Sequence, residues 1–444
     1  MPSIAAPRIA MRRIDWDSLD AAERDDALAR PARRSGREVL GVVEEVFDAV
    51  RARGWDAVTE FAEKFDRAAP DVIEVTPKTV AAARAELDAA DLKALETARD
   101  NVAAFHARTK PQETTVEVAP GVTCKRAWRP IGCAGLYVPG GTAPLFSSLL
   151  MLALPARAAG VETLVATTPP GASPIARTLM TVAADLCGLD TVHVLGGAQA
   201  VAAMALGAGP IPKVDKIFGP GGAFVAAAKA YAAGLPGGPA IDLPAGPSEL
   251  LVIADATADP GVVAADLLSQ AEHDADAQVI LVVTDAAVAD AVEGALGQQL
   301  STLPRADIAR ASLENARAVI ASSIDSAVAT ANTYAPEHLS LNLADAAAIV
   351  DRITNAGAVF VGRWSAETFG DYVCGPSHVL PTDGAARAFG GVTTESFMRP
   401  MSVQELTREG AASLADAAAR LARLEGLEAH ARAADVRLSA EQSQ

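Results

Sequence analysis

The chain has 444 residues, half of them hydrophobic, and a formal net charge of −17. That length exceeds one ordinary core and suggests several domains, and the acidity excludes nucleic acid or an anionic membrane as the principal partner, leaving room only for a local basic pocket. Cys124, Cys133, Cys187 and Cys374 form no CxxC pair, which favours free thiols in a reducing compartment over a disulfide framework or a thiolate zinc knuckle.

The opening MPSIAAPRIAMRRIDWDSLD has no apolar segment of the kind that marks a secretory signal. From Ser35 to about Arg108 the pattern is helical, with Thr76-Pro77 as N-cap and first residue of one helix. Thr115 to Trp128 alternates around Pro120-Gly121 and predicts a hairpin. CAGLYV is a short apolar run, followed by PGG and a helix over Leu145–Ala159. The segment LFSSLLMLALPARAAG, broken by Pro155 and Arg157, is too short to span a bilayer and predicts a buried helix. TLVATTPP, TVHVL and VDKIF are further short strands, each followed by a small-residue helix. This βαβα rhythm implies a parallel sheet covered by helices. A second round starts after GPAIDLPAGPS, with LLVIAD, QVILVVT, ARAVIA, HLSLNL and AVFVG as strands. The two rounds suggest duplicated α/β architecture without a residue-level repeat. From about Ser402 the pattern is helical again, with an apolar face that predicts packing on another domain or subunit.

Four of the six histidines stand in segments that also carry carboxylates. In LLSQAEHDADAQV, Gln270 and His273 are three apart, so on a helix they share a face and could reach one metal ion. The plainer alternative is a polar helix C-terminus with His273 near the negative dipole end. In TYAPEHLSL, Pro336 biases Ala335 away from helix, which places Glu337 and His338 in a turn entering a strand. An adjacent acid and imidazole there suit proton transfer; a solvated surface turn is the other option. In GDYVCGPSHVLPT, Asp371 and His378 sit in an irregular polar loop, which suits a site and equally suits local turn chemistry. In EGLEAHARA, Glu425 and His430 are five apart, so they converge only if a helix starts between them or bends. His106 and His193 carry no such signal, and His193 alternates within a strand. The fingerprint GxGxxG is absent. GGAQA and FGPGG are glycine loops between strand and helix, consistent with a phosphate cradle or with tight turns.

The motifs GLYVPGGTAPLFSSLLMLALPARAAG, GGAQA, VDKIFGPG, AIDLPAGPSELLVIAD, DLLSQAEHDADAQVIL, PEHL, GDYVCGPSHVLPT and MSVQEL occur in this order, and together the chain resembles the histidinol dehydrogenase family over nearly its whole length. The resemblance implies two Rossmann-like parallel-sheet domains with a helical N-terminal arm and a C-terminal dimerisation region. Residues 1–24 would form the arm, 25–136 with 249–384 the zinc and catalytic domain, and 137–248 the NAD side. Residues 385–444 would cross to the partner of a cytoplasmic homodimer. It implies two successive oxidations of L-histidinol to L-histidine through the aldehyde, with one Zn2+ per site and NAD+ as cofactors. Zinc would be held by Gln270, His273, Asp371 and His430. Glu337 and His338 would be the acid–base residues. Ser248, His378 and Glu425 would contact substrate beside these groups, and Tyr137 and Gln199 would contact NAD+.

The chain departs from the family pattern at Gly222, where an asparagine that contacts NAD is usual, and at Cys133, where a charged residue is common. Three other chemistries stay in view at this point. They are a same-fold zinc/NAD dehydrogenase for another small hydroxylated substrate, a zinc hydrolase using Glu337 as base, and a covalent route through Cys374.

Overall fold

The computed structural model describes residues 9–30, 36–140, 145–171, 173–244 and 246–439. Residues 1–8 of the expected arm, Ser35, the loop 141–144 after PGG, Ala245 and the end of the C-terminal region at 440–444 lie outside the described residues. The strands are β1 (Arg12–Asp15), β2 (Asp71–Glu74), β3 (Thr114–Ala119), β4 (Val122–Pro130), β5 (Cys133–Tyr137), β6 (Thr163–Thr168), β7 (Thr191–Val194), β8 (Lys216–Phe218), β9 (Ala240–Ile241), β10 (Glu249–Ala254), β11 (Gln278–Val283), β12 (Arg317–Ile320), β13 (His338–Asn342), β14 (Ala358–Val361) and β15 (Met398–Leu406).

The chain divides into two compact units, the first comprising Met1–Thr109 and Gly132–Thr394. It contains two six-stranded sheets. One has the order β1-β12-β11-β10-β13-β14 and is parallel throughout. The other has the order β2-β7-β6-β5-β8-β9 and is parallel except at β2, which runs antiparallel to β7. In β10 every residue is buried, and alternate residues serve different cores. Leu250, Val252 and Ala254 pack into one cluster, whereas Leu251 and Ile253 pack into another. Covering both faces with helices is why such strands are uninterrupted apolar runs. Each of these leucine, isoleucine and valine side chains gains about 1.5–3 kcal/mol on full burial.

Three elements differ from the sequence expectation. β1 is no part of a helical arm: it adds an edge strand beside β12. β2 interrupts the stretch from Ser35 to Arg108, which is otherwise helical. With the helix Gly36–Arg53, whose Val43, Val46 and Phe47 pack around Tyr137 and Leu195, it belongs to the layer of the β5 sheet. The resemblance groups that stretch with 249–384 instead. The expected helix from Ser402 begins instead as β15, which pairs antiparallel with β4 from Met398↔Pro130 to Leu406↔Val122.

The second unit comprises Lys110–Ile131 and Glu395–Gln444. Its three-stranded sheet has the order β15-β4-β3, and the β3–β4 hairpin turns at Pro120-Gly121 as expected. The helices Arg408–Leu424 and Glu428–Ser439 follow. Glu425 caps the first, and Gly426 turns the chain with φ 77°, so a helix does begin between Glu425 and His430. This unit exposes Val118, Leu421, Leu424 and Val436. Among the described residues no helix is long and apolar enough to cross a membrane.

Candidate active site and family

The site forms at the amino ends of β10 and β13. The helix Ile324–Tyr334 is capped by Ser323, whose side chain accepts from Ser326 N–H, and it ends at Ala335. Ala335 leaves the helix as its place before Pro336 requires, but in the left-handed region, at φ 54° and ψ 66°. A non-glycine residue there is strained by about 1–2 kcal/mol. The reversal sends Glu337 and His338 straight into β13, against β10. Gly357 matters here, because a Cβ at that position would lie 2.6 Å from the Glu337 carbonyl oxygen.

Both residues are buried, not solvated. The backbone of Glu249 holds them together. Its N–H donates to Glu337 Oε2 at 2.9 Å, and its carbonyl oxygen lies 3.1 Å from His338 Nδ1. A carbonyl can only accept, so Nδ1 carries the proton and Nε2 has a free lone pair. Nε2 is buried, has no hydrogen-bond partner and lies 3.7 Å from Asp371 Oδ1. Glu249 is itself fixed: its carboxylate accepts from Arg30 Nε and Nη2 and from the N–H of Asp383, and Arg30 stacks on Tyr334 at 4.0 Å. Burial raises the Glu337 pKa well above the carboxylate range, against the Glu249 N–H. Burial lowers that of His338, opposed by Asp371.

Two helices complete the cluster. Pro260–Ala271, started by Asp259 and Pro260, ends at the sheet's amino edge. Gln270 lies in its last turn, and His273 lies beyond it, its N–H bonded to the Gln270 carbonyl. The two therefore do not share a regular helix face, yet the Gln270 amide is buried with neither atom paired. The short helix Glu367–Tyr372 packs against Pro260–Ala271 and carries Glu367 and Asp371, one turn apart on one face. Donor atoms of His273, Glu367 and Asp371 lie within 4.8 Å of one another. The His273, Glu367 and Asp371 group, with the buried and unpaired Gln270 amide on the helix that leads to His273, is a donor set that fits a divalent cation such as Zn2+.

Glu367 was not singled out in the sequence. The signal was the i, i+4 pair of acids in ETFGD, visible once that stretch is known to be a buried helix. His378 Nδ1 donates to the Asp371 carbonyl at 2.8 Å, leaving Nε2 to pair with Ser148 Oγ at 3.0 Å. His338, Phe360, Trp364, Asp371 and His378 line a cleft of about 540 Å³. Ser248 directly precedes β10, and its carbonyl accepts from Gln278 N–H. Cys374 is exposed at the cleft. Glu425 and His430 are exposed in the second unit.

Tyr137 and Gln199 meet at the other sheet. Tyr137 ends β5, and its hydroxyl accepts from Gly197 N–H at 3.2 Å, at the start of the helix Gly197–Leu206. Burial pushes its pKa up to about 12. Gln199 Nε2 donates to Asp66, which also receives Gly196 N–H. Asp66 was not anticipated; it stands next to Arg67, where the preceding helix ends in the left-handed region. Gly219 adopts φ 114° because the Tyr137 carbonyl leaves no space for a Cβ. Pro139, Gly140, Thr168, Pro169 and Val194 line a second cleft of about 400 Å³ at these strand ends.

The comparisons agree along the full chain. The histidinol dehydrogenase family model matches residues 29–438. A histidinol dehydrogenase of Vibrio parahaemolyticus is 47% identical over 428 residues, covering 96% of this chain and 98% of its own. One of Salmonella typhimurium is 45% identical over 427 residues, covering 96% of this chain and 98% of its own. The crystal structure of histidinol dehydrogenase from Elizabethkingia anophelis superposes with a TM-score of 0.91 at 40% identity, covering 98% of this chain and 99% of that one. The chain belongs to the histidinol dehydrogenase family, the NAD-linked, zinc-dependent oxidoreductases of histidine biosynthesis.

Proposed function

We propose that the Glu337–His338 pair performs the proton transfers of two successive oxidations, L-histidinol to the aldehyde and the aldehyde to L-histidine. The observation that carries this is the Nδ1 contact of His338 with the Glu249 carbonyl, which leaves a buried, unpaired Nε2 beside Asp371. Gln270, His273 and Asp371, with His430, would hold Zn2+, and Tyr137 and Gln199 would meet NAD+. When bound, zinc supplies an orienting Lewis acid for the substrate's nitrogens, and NAD+ supplies the hydride acceptor. His338 Nε2 takes the hydroxyl proton as the carbinol hydrogen leaves as hydride. Glu337, with its proton affinity raised by burial, takes a proton from the water that adds to the aldehyde. His338, having passed its first proton to bulk water, then takes a proton from the resulting diol as the second hydride leaves to a second NAD+. Ser248, His378 and Glu425 would orient the substrate, and Ser148 fixes the His378 ring.

Stoichiometry tests this: each L-histidinol should yield two NADH, and a preparation giving none, or one with aldehyde accumulating, contradicts it. From the resemblance we further propose a cytoplasmic homodimer in which Glu425 and His430 serve the partner's site. Free cysteines and the exposed apolar residues of the second unit support it. Coexpressed His338→Asn and His430→Ala chains, each inactive alone, should then regain about one intact site per dimer by two-fold symmetry. Heterodimers that stay inactive argue that each chain completes its own site.

A further inference from the structure

Lys229 and Asp242 form an ion pair with 3% and 1% of their side chains exposed, and neither has a role above. Replacing a buried ion pair by apolar side chains of similar volume is often neutral or stabilising, so stability alone is a weak reason for such a pair. A stronger reason lies in what the two side chains hold. Lys229 Nζ donates to the Gly219 carbonyl at 2.7 Å, and Asp242 Oδ2 accepts from the Gly219 N–H at 2.7 Å. The other carboxylate oxygen accepts from Lys229 Nζ and from the Leu243 N–H. One pair therefore fixes both backbone groups of one residue. That residue opens the glycine loop FGPGG, in which Gly219, Gly221 and Gly222 have no side chains to anchor them and φ is otherwise loosely specified. The two anchors come from the elements that flank the loop. Lys229 lies in the helix Ala223–Gly234, which Gly222 caps, and Asp242 follows β9, its own N–H bonded to the Ile217 carbonyl of β8.

We propose that Lys229 and Asp242 are positioning residues for NAD+, holding the Gly219–Gly222 loop where the cofactor meets it. This rests on the loop meeting NAD+, as the family pattern at Gly222 implies. Both side chains are buried and direct their polar atoms into the protein, so they act through the Gly219 backbone and not by touching the cofactor. Loss of the pair therefore acts on cofactor binding and leaves the chemistry of the bound complex nearly intact.

The test uses the full-length, zinc-loaded protein. The double variant Lys229→Met/Asp242→Leu replaces the pair by apolar side chains and leaves no buried charge unpaired. Its dissociation constant and KM for NAD+ should rise about tenfold, the size of one or two lost hydrogen bonds to the cofactor. Its kcat at saturating NAD+ should stay within about threefold of wild type, and a purely structural pair would not produce that split between KM and kcat. Val292→Ala, a cavity in the core of the β10 sheet, is the stability control. NAD+ affinity that falls alike in this control and the double variant overturns the proposal, as does wild-type NAD+ affinity in the double variant. Lys229→Met alone leaves Asp242 with the N–H groups of Gly219 and Leu243, and carries the same measurement if the double variant does not fold. Gly222→Asp separates the pair's role from the reading beneath it. A Cβ there meets nothing within 4 Å, and the added negative charge should weaken binding of a phosphate-bearing cofactor. If Gly222→Asp alone weakens NAD+ binding, the loop meets NAD+ and the pair does not position it. If neither variant weakens it, the loop does not meet NAD+, and the reading and the proposal fall together.

Discussion

The two sheets of the first unit have the same construction and use opposite ends. In the β5 sheet, Tyr137, Gly196-Gly197 and Gly219 gather at the carboxyl ends of the strands. In the β10 sheet, Glu249, Glu337 and His338 gather at the amino ends. The difference follows from what a βαβ unit presents at each end. At carboxyl ends, helices begin, and their free N–H groups favour anions such as a dinucleotide's phosphates. At amino ends, helices finish, and their carbonyls and negative dipole ends favour N–H donors and cations. The helix Pro260–Ala271 ends there with Gln270, and Glu367–Tyr372 ends there with Asp371. Carbonyls of Glu249 and Asp371 fix the protonated nitrogens of His338 and His378. One end suits a phosphate-bearing cofactor, the other a metal and an imidazole-bearing substrate, and each uses a glycine to admit a neighbouring strand's carbonyl, Gly219 in one and Gly357 in the other.

If the two ends are chemically separate, removing metal should have the largest effect and a one-sided one. Turnover should be lost on chelation, while the fold and NAD+ binding persist, because the proposed metal donors come from distant segments of a chain with its own cores. Calorimetric NAD+ titration of verified metal-free protein checks this. Affinity lost together with the metal would mean that the two ends are not independent. Next in size is His338→Asn, expected to lower the rate of the first hydride step by about 10²–10⁴-fold, with zinc content and NAD+ affinity unchanged. Equal losses in rate and zinc content would place His338 among the metal's ligands.

The sheets themselves were legible because strands covered on both faces become short apolar runs, as ELLVIA and QVILVV show. β1 was not, since RRID is an edge strand with only Ile14 buried, and edge positions carry charge freely. β15 was not legible either: nearly all of it is exposed, so its fold comes from backbone pairing to β4 and leaves no periodic apolar trace. In the site, histidines beside acids stood out by their rarity. Glu367 and Asp66 did not, because the sequence carries 55 acidic residues and burial, which gives these two their character, is a tertiary property.

A buried histidine outside the cluster sharpens the contrast at intermediate size. His106 is fully buried, with Thr394 Oγ1 donating to its backbone carbonyl and, among the described residues, no acid acting on its ring, and burial lowers its pKa from 6.5 to about 4. Above pH 6.5 neither the folded nor the unfolded chain is protonated there, and the folded state keeps its full stability. As pH falls through this window, the unfolded chain takes up a proton that the folded chain refuses. At about 1.4 kcal/mol per unit, the loss approaches about 3 kcal/mol near pH 4. His106→Phe should remove that part of the acid sensitivity. Urea unfolding of both proteins at neutral and acidic pH measures it, and parallel pH dependences would show that the histidine titrates normally.

The smallest effect belongs to the carboxyl end and to the position where this chain departs from the family pattern. Gly222 is the N-cap of the helix Ala223–Gly234, with φ −61° and ψ 178°. That conformation is open to any residue, and a Cβ there would meet nothing within 4 Å. The glycine is therefore not required by its backbone, unlike Gly219 earlier in the same loop, whose φ and crowding exclude a side chain. Asparagine at 222 would add a side chain at a helix start, where it caps slightly better than glycine, and a neutral hydrogen bond to the cofactor worth about 0.5–1.5 kcal/mol. NAD+ should bind up to about tenfold tighter by that figure, with L-histidinol affinity unchanged because the residues proposed to bind it lie at the other sheet's amino end. Weaker NAD+ binding would show that the bare backbone at 222 is what the cofactor approaches, and a change in L-histidinol affinity would show that the two ends communicate.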